Sequence, residues 1–254
     1  MEQQFFEGIE SKEMEITGGS VEVPILYRDI FAVAGVFIAP TLPLKELLPT
    51  SKLVPVEFLP GKGLIGFMAL EYRDTTIGPY KEFMIMIPAR YRPRFNPPIF
   101  PALRMSFSLS FEVFVWQLPL TSEVGLHAGI DIWGFPKFIA DIDFTQDEHS
   151  VTCTLVEKGE DILTLEVDKN RARTKTYFDY TIFSVKDREL LQTHVNGLSE
   201  SLGRSFKPGA ARLILGEHPI SRQIREVAPG KSIQTMYIPK GQFILPEAQE
   251  RLPL

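Results

Sequence analysis

The chain has 254 residues, 44% of them hydrophobic and 23% charged, a balance that excludes both a disordered segment and a membrane-embedded bundle. Its formal net charge of −5 lacks the basic surplus of a nucleic-acid binder, so no nucleic-acid partner is expected. A single cysteine, Cys153, excludes an internal disulfide and cysteine-based metal clusters, and fits a reducing compartment and a role as buried filler.

Read from the N-terminus, residues 1–10 are acidic and lack the basic-then-apolar order of a signal peptide. Strand-like segments then dominate. Residues 21–26, 30–38, 64–70, 82–87, 105–114, 138–144, 151–156 and 162–167 are rich in branched and aromatic side chains and are separated by turn residues. The longest uncharged run, residues 30–44, is too short to span a bilayer and contains Pro40 and Pro43. A cytoplasmic protein with no membrane partner is therefore expected. Residues 42–48 read as one short helix closed by Pro49, and the proline-dense stretch 88–101 reads as a loop that resists regular pairing. Residues 188–203 stay open between two readings. Leu191, Val195, Leu198 and Leu202 recur at helical spacing, while Thr193, Val195 and two glycines suit a strand. Arg171, Arg173 and Lys175 alternate with neutral residues, as on the solvated face of a strand. The expected fold is mainly β (β-rich α+β), with antiparallel strands forming a barrel-like core and few short helices, in a single domain over residues 1–254.

The most informative stretch is residues 129–138, Gly-Ile-Asp-Ile-Trp-Gly-Phe-Pro-Lys-Phe. Lys137 stands alone there among Trp133, Phe135, Pro136 and Phe138, and Pro136 fixes the backbone just before it. Apolar surroundings disfavour an ammonium and leave free amine available, and a free amine attacks ketones to form a Schiff base. No two of the four histidines share a metal-ligand spacing, so no metal is expected; His127, His149 and His218 read as structural or turn residues and His194 is unplaced. Glycine-rich phosphate loops and the Gly-x-Ser-x-Gly elbow are absent, which removes the usual nucleotide and serine-hydrolase readings.

These residues resemble the acetoacetate decarboxylase family. The match rests on Gly129, Asp131 and the run from Trp133 to Lys137, whose lysine is the family's Schiff-base residue. Upstream, residues 78–82 with Ile87-Pro88 look like the family's glutamate-bearing strand. Downstream, residues 209–219, 224–227 and 233–239 look like its closing strands, so the resemblance covers roughly residues 20–245. It implies that Lys137 is the nucleophile, that Glu82 assists proton transfer, and that Arg28 orients the glutamate or meets the substrate carboxylate. Phe135, Trp133 and Phe138 would then line the substrate pocket. Acetoacetate decarboxylase is itself the familiar example of a lysine activated by desolvation or by a cationic neighbour. Many members carry a second lysine after the catalytic one; here that position is Phe138, so burial has to activate Lys137 without a cationic neighbour in sequence. Two further departures, Ile130 for a common arginine and Asp131 for glutamate, leave the substrate open. The resemblance implies decarboxylation of a small keto acid without an external cofactor, by a homo-oligomer. A Schiff-base aldolase-dehydratase acting on a keto acid, or a non-catalytic binder of a small hydrophobic ligand, are the alternatives.

Overall fold

The computed structural model describes residues 5–94, 97–100, 102 and 109–254. A hairpin of β1 (Lys12–Ile16) and β2 (Gly19–Val23) leads into the long strand β3 (Ile25–Pro40) and helix α1 (Thr41–Glu46). Short β4 (Leu53–Pro55) and β5 (Glu57–Leu59) precede β6 (Lys62–Thr75), β7 (Tyr80–Tyr91) and β8 (Ser110–Gln117). Helix α2 (Glu123–Trp133) is followed by β9 (Asp141–Gln146), β10 (Ser150–Glu157) and β11 (Glu160–Asp168). Strands β12 (Thr174–Lys186), β13 (Glu189–Ser205) and β14 (Ala211–Leu215), helix α3 (Pro219–Val227), β15 (Ser232–Leu245) and β16 (Glu250–Pro253) complete the chain.

Seven strands close into a barrel in the order β7-β8-β12-β13-β15-β3-β6, with β6 pairing back onto β7. Six of the seven contacts are antiparallel, but β12 runs parallel to β8, so the barrel is mixed. A second antiparallel sheet, β14-β11-β10-β9, packs on the outside. Period-two alternation explains how one set of strands serves two cores. Ala32, Ala34, Met68, Leu70, Met86, Val113, Val115 and Ile182 fill the barrel interior. Their neighbours Val33, Phe67, Ala69, Ile85, Ile87, Phe114 and Phe183 point outward and meet Cys153, Leu155, Leu163 and Leu165 of the second sheet. Cys153 is fully buried there, and burial pushes its thiol far above the ordinary range, as inert filler requires.

Several expectations change. Residues 189–205 form β13, so the branched residues outweigh the helical spacing once both faces of the strand are covered. The run expected to loop from residue 88 stays in β7 as far as Tyr91, because β4 pairs with Ala89, Arg90 and Tyr91. Pro88 is accommodated there with its carbonyl accepting from Val56 N. Of the expected strand 105–114, residues 105–108 lie outside the described residues and residues 110–114 begin β8. Residues 224–227 are not a closing strand: they end α3, which begins with Pro219 at its first turn behind the His218 cap and buries Ile220, Ile224 and Val227. Arg171, Arg173 and Lys175 are exposed, in keeping with a solvated face.

Candidate active site

Lys137 arrives from outside the barrel wall. Helix α2 starts at Ser122, whose hydroxyl accepts from Gly125 N, and buries Gly125, Ala128, Gly129, Ile132 and Trp133 at helical spacing. It ends at Gly134, whose φ of 62° is the left-handed turn that glycine adopts freely. The chain then doubles back, with Phe135 N donating to Gly129 O at 3.0 Å. Residues 135–140 lie along 118–120: Leu118 N donates to Pro136 O, Leu120 N to Phe138 O, and Ala140 N to Leu120 O. Leu120 in turn bridges Glu82 of β7. This seam carries the lysine to the barrel wall.

Gly129 makes the approach possible. A Cβ at that position would stand 2.3 Å from Lys137 Cε and 2.4 Å from its Cδ, so the lysine stem lies directly on the helix backbone. The motif's first glycine is therefore a steric requirement of the amine's placement.

Inside the barrel the inward face of β7 presents Tyr80, Glu82, Met84 and Met86. Lys137 Nζ donates to Glu82 Oε2 at 2.5 Å, and each side chain is only 5% exposed. Tyr72 donates its hydroxyl to the other carboxylate oxygen at 2.9 Å. Tyr27 and Tyr80 share a hydrogen bond of 2.9 Å, and the Tyr27 ring packs on Tyr72 with centroids 4.4 Å apart. The amine also lies 5.9 Å from the ring centres of both Tyr80 and Phe135. Burial pushes the hydroxyls of Tyr27, Tyr72 and Tyr80 far above their ordinary range, and the charge on Glu82 pushes in the same direction. All three thus remain protonated donors at any physiological pH.

A cavity of about 60 Å³ adjoins the pair, walled by Met68, Leu70, Met84, Val115, Leu118 and Phe135 among others. Its lining is apolar apart from Lys137, Glu82 and tyrosine hydroxyls. Such a chamber can hold a small carbonyl compound against the amine, with a carboxylate in reach to take and return a proton.

Of the residues expected at the site, Lys137, Glu82 and Phe135 are brought together. Arg28 is not. Tyr27 takes the inward position on β3, so alternation turns Arg28 outward, where its exposed guanidinium lies 3.5 Å from Asp74. Trp133 is buried beside the cavity, stacked on Phe135 with centroids 6.0 Å apart and donating Nε1 to Pro246 O at 2.8 Å, which holds the end of α2 in place. Phe138 faces the other way, into the core shared with the second sheet. Asp131 serves as an anchor: its carboxylate accepts from Thr17 N at 2.6 Å, a bond that holds it below the usual carboxylate range and ties α2 to the first hairpin. His127 pairs loosely with Glu123 at 3.9 Å on the same helix. The three tyrosines were not anticipated. The available signal was the placement of Tyr72, Tyr80 and Glu82 across a tight turn, where Tyr72 pairs with Tyr80 and Leu70 with Glu82.

The family model described as acetoacetate decarboxylase (ADC) matches residues 39–242. No curated protein sequence matches the chain. Among solved structures, an acetoacetate decarboxylase from Legionella pneumophila is similar with a TM-score of 0.64 and 17% identity, over 90% of this chain and 87% of that one. The enduracididine biosynthesis enzyme MppR complexed with pyruvate has a TM-score of 0.64 at 11% identity, over 87% of this chain and 88% of its own. An acetoacetate decarboxylase-like enzyme from Sphingomonas wittichii RW1 has a TM-score of 0.54 at 14% identity, over 91% of this chain and 93% of its own. At these identities the structures establish a shared fold, and that fold hosts enzymes described both as decarboxylases and otherwise. With a family match running through β7, α2 and the lysine-bearing turn, the chain belongs to the acetoacetate decarboxylase family.

Proposed function

We propose that the protein is a Schiff-base carboxy-lyase that decarboxylates a small β-keto acid. The observation that carries this reading is the buried contact of 2.5 Å between Lys137 Nζ and Glu82 Oε2 at the edge of an apolar chamber. Glu82 accepts a proton from Lys137, freeing the amine to attack the substrate ketone. It then returns the proton to the carbinolamine hydroxyl, which leaves as water and gives a protonated imine. The bond to the carboxylate carbon breaks, its electron pair flows toward the imine nitrogen, and CO₂ departs. Protonation of the enamine carbon and attack by water release the ketone and restore Lys137. One proton is consumed overall for each carboxylate lost. Tyr72 holds the second oxygen of Glu82 and fixes the carboxylate's orientation. The apolar walls favour neutral CO₂ over a carboxylate, the same direction as the reaction.

Borohydride reduction in the presence of acetoacetate tests the assignment. The expected product is a reduced isopropyl adduct on the Lys137 peptide, found by mass spectrometry, together with release of acetone and CO₂. Lys137→Arg keeps a cation beside Glu82 but no usable nucleophile, and its rate should fall to background. Wild-type protein without an adduct at Lys137 would sink the proposal. An adduct formed without CO₂ would move the assignment to aldol chemistry, in which the enamine attacks an aldehyde.

A further inference from the structure

A second cavity, of about 30 Å³, lies deeper in the barrel and shares Met86, Val113 and Tyr180 with the cavity at Lys137. Those three side chains form the partition between the two. Beyond it the walls include Val36, Leu64, Met236 and the polar side chain of Gln234. Four of the chain's seven methionines, Met68, Met84, Met86 and Met236, line the two chambers. Their unbranched thioethers are the adjustable part of a wall otherwise built from stiff strands. Gly66 contributes room as well, since Met86 Cε lies 2.9 Å from where its Cβ would stand.

Tyr180 is the polar group of that partition. It is 7% exposed, and its ring stacks on Phe111 with centroids 5.1 Å apart. Its hydroxyl has no hydrogen-bond partner among the described residues. A buried hydroxyl left unpaired has lost its hydration without compensation, so such a group in a cavity wall is suited to an acceptor atom of a ligand. Burial keeps it protonated, so it acts as a donor.

Taking Lys137 as the imine-forming residue, we infer that the natural substrate is a keto acid longer than acetoacetate. Its chain passes Met86 into the second chamber and carries an oxygen, two or more carbons beyond the ketone, that accepts a hydrogen bond from Tyr180. The largely apolar walls on either side bind the hydrocarbon of such a chain, and the Tyr180 hydroxyl between them selects its oxygen.

The test compares kcat/KM for acetoacetate, 3-oxohexanoate, and the 5-hydroxy and 6-hydroxy derivatives of 3-oxohexanoate, with borohydride labelling of Lys137 run alongside. Wild-type protein should prefer at least one hydroxylated acid over 3-oxohexanoate by about tenfold, the worth of one hydrogen bond in a dry site. Tyr180→Phe should bring that ratio close to one. Val36→Phe, which fills the second chamber alone, should lower the ratio of 3-oxohexanoate to acetoacetate. Equal use of all four acids by wild-type protein, or a preference that survives Tyr180→Phe, overturns the inference. If acetoacetate labels Lys137 but chain length and hydroxyl make no difference, only this inference falls. If no acid labels Lys137, the Schiff-base reading falls with it.

Discussion

Gly129 separates placement of the amine from stability of the fold. Its replacement by alanine adds a methyl that only the flexible end of Lys137 must avoid, while helix propensity favours alanine by roughly 1 kcal/mol. Gly129→Ala should therefore melt at or above the wild-type temperature, yet lose about 10²-fold in the rate of imine formation, because the amine is displaced by an ångström or more. Calorimetry and the kinetics of borohydride trapping read the two effects separately. Lys137 was legible in the sequence because a lone cation in an aromatic run is a local signal. Arg28 misled because the likeness to a family arginine carries no direction for its side chain, which depends on which face of β3 the barrel closes over. Tyr27, one position earlier, continues the buried period-two set Val21, Val23 and Ile25, and that alternation is the local sign that Arg28 faces outward. In the tyrosine cluster, Tyr72 and Tyr80 face each other across one hairpin, whereas Tyr27 joins them only through the pairing of β3 with β6, a long-range register.

Helix α2 and the turn after it place the lysine, and Gly134 is the hinge of that unit. At φ 62°, a Cβ would meet Val185 O at 2.3 Å, a backbone atom that cannot step aside. Gly134→Ala should cost about 2 kcal/mol or more from the left-handed backbone and the clash together, seen as a lowered urea midpoint. Because the turn itself is lost, trapping at Lys137 should fall with it, in contrast to Gly129→Ala. Two glycines inside α2, Gly125 and Gly129, also explain why the sequence concealed this helix: they depress helical propensity where tertiary packing requires small residues. In α3 the Pro219 start and the spacing of Ile220, Ile224 and Val227 are readable helix signals, and the likeness to a closing strand points away from them. The strands were far easier to read, since branched and aromatic runs mark them even when both faces are buried.

The barrel as a whole stores an alkaline sensitivity. Tyr27, Tyr72, Tyr80 and Tyr180 are all raised in the folded state, chiefly by burial. An unfolded chain releases these protons near pH ~10, while the folded barrel retains them. Above that pH the unfolded state binds fewer protons, so stability is complete below about pH 10 and falls as pH rises further, by roughly 1.4 kcal/mol per pH unit for each tyrosine. Urea unfolding at stepped alkaline pH should show this decline, and Tyr180→Phe should soften it. No helix among the described residues is long and apolar enough to cross a membrane. The seam that joins Lys137 to Glu82 has a different significance. Glu82 belongs to a strand held on both sides by ladders, whereas the turn that carries Lys137 is joined to residues 118–120 by a short seam, Leu118 N to Pro136 O, Leu120 N to Phe138 O and Ala140 N to Leu120 O. Segments held so lightly open before a closed barrel does. Borohydride trapping at Lys137 is therefore expected to be a finer gauge of local order than any spectroscopic measure of the sheet: on warming it should fade before the signal of the strands does.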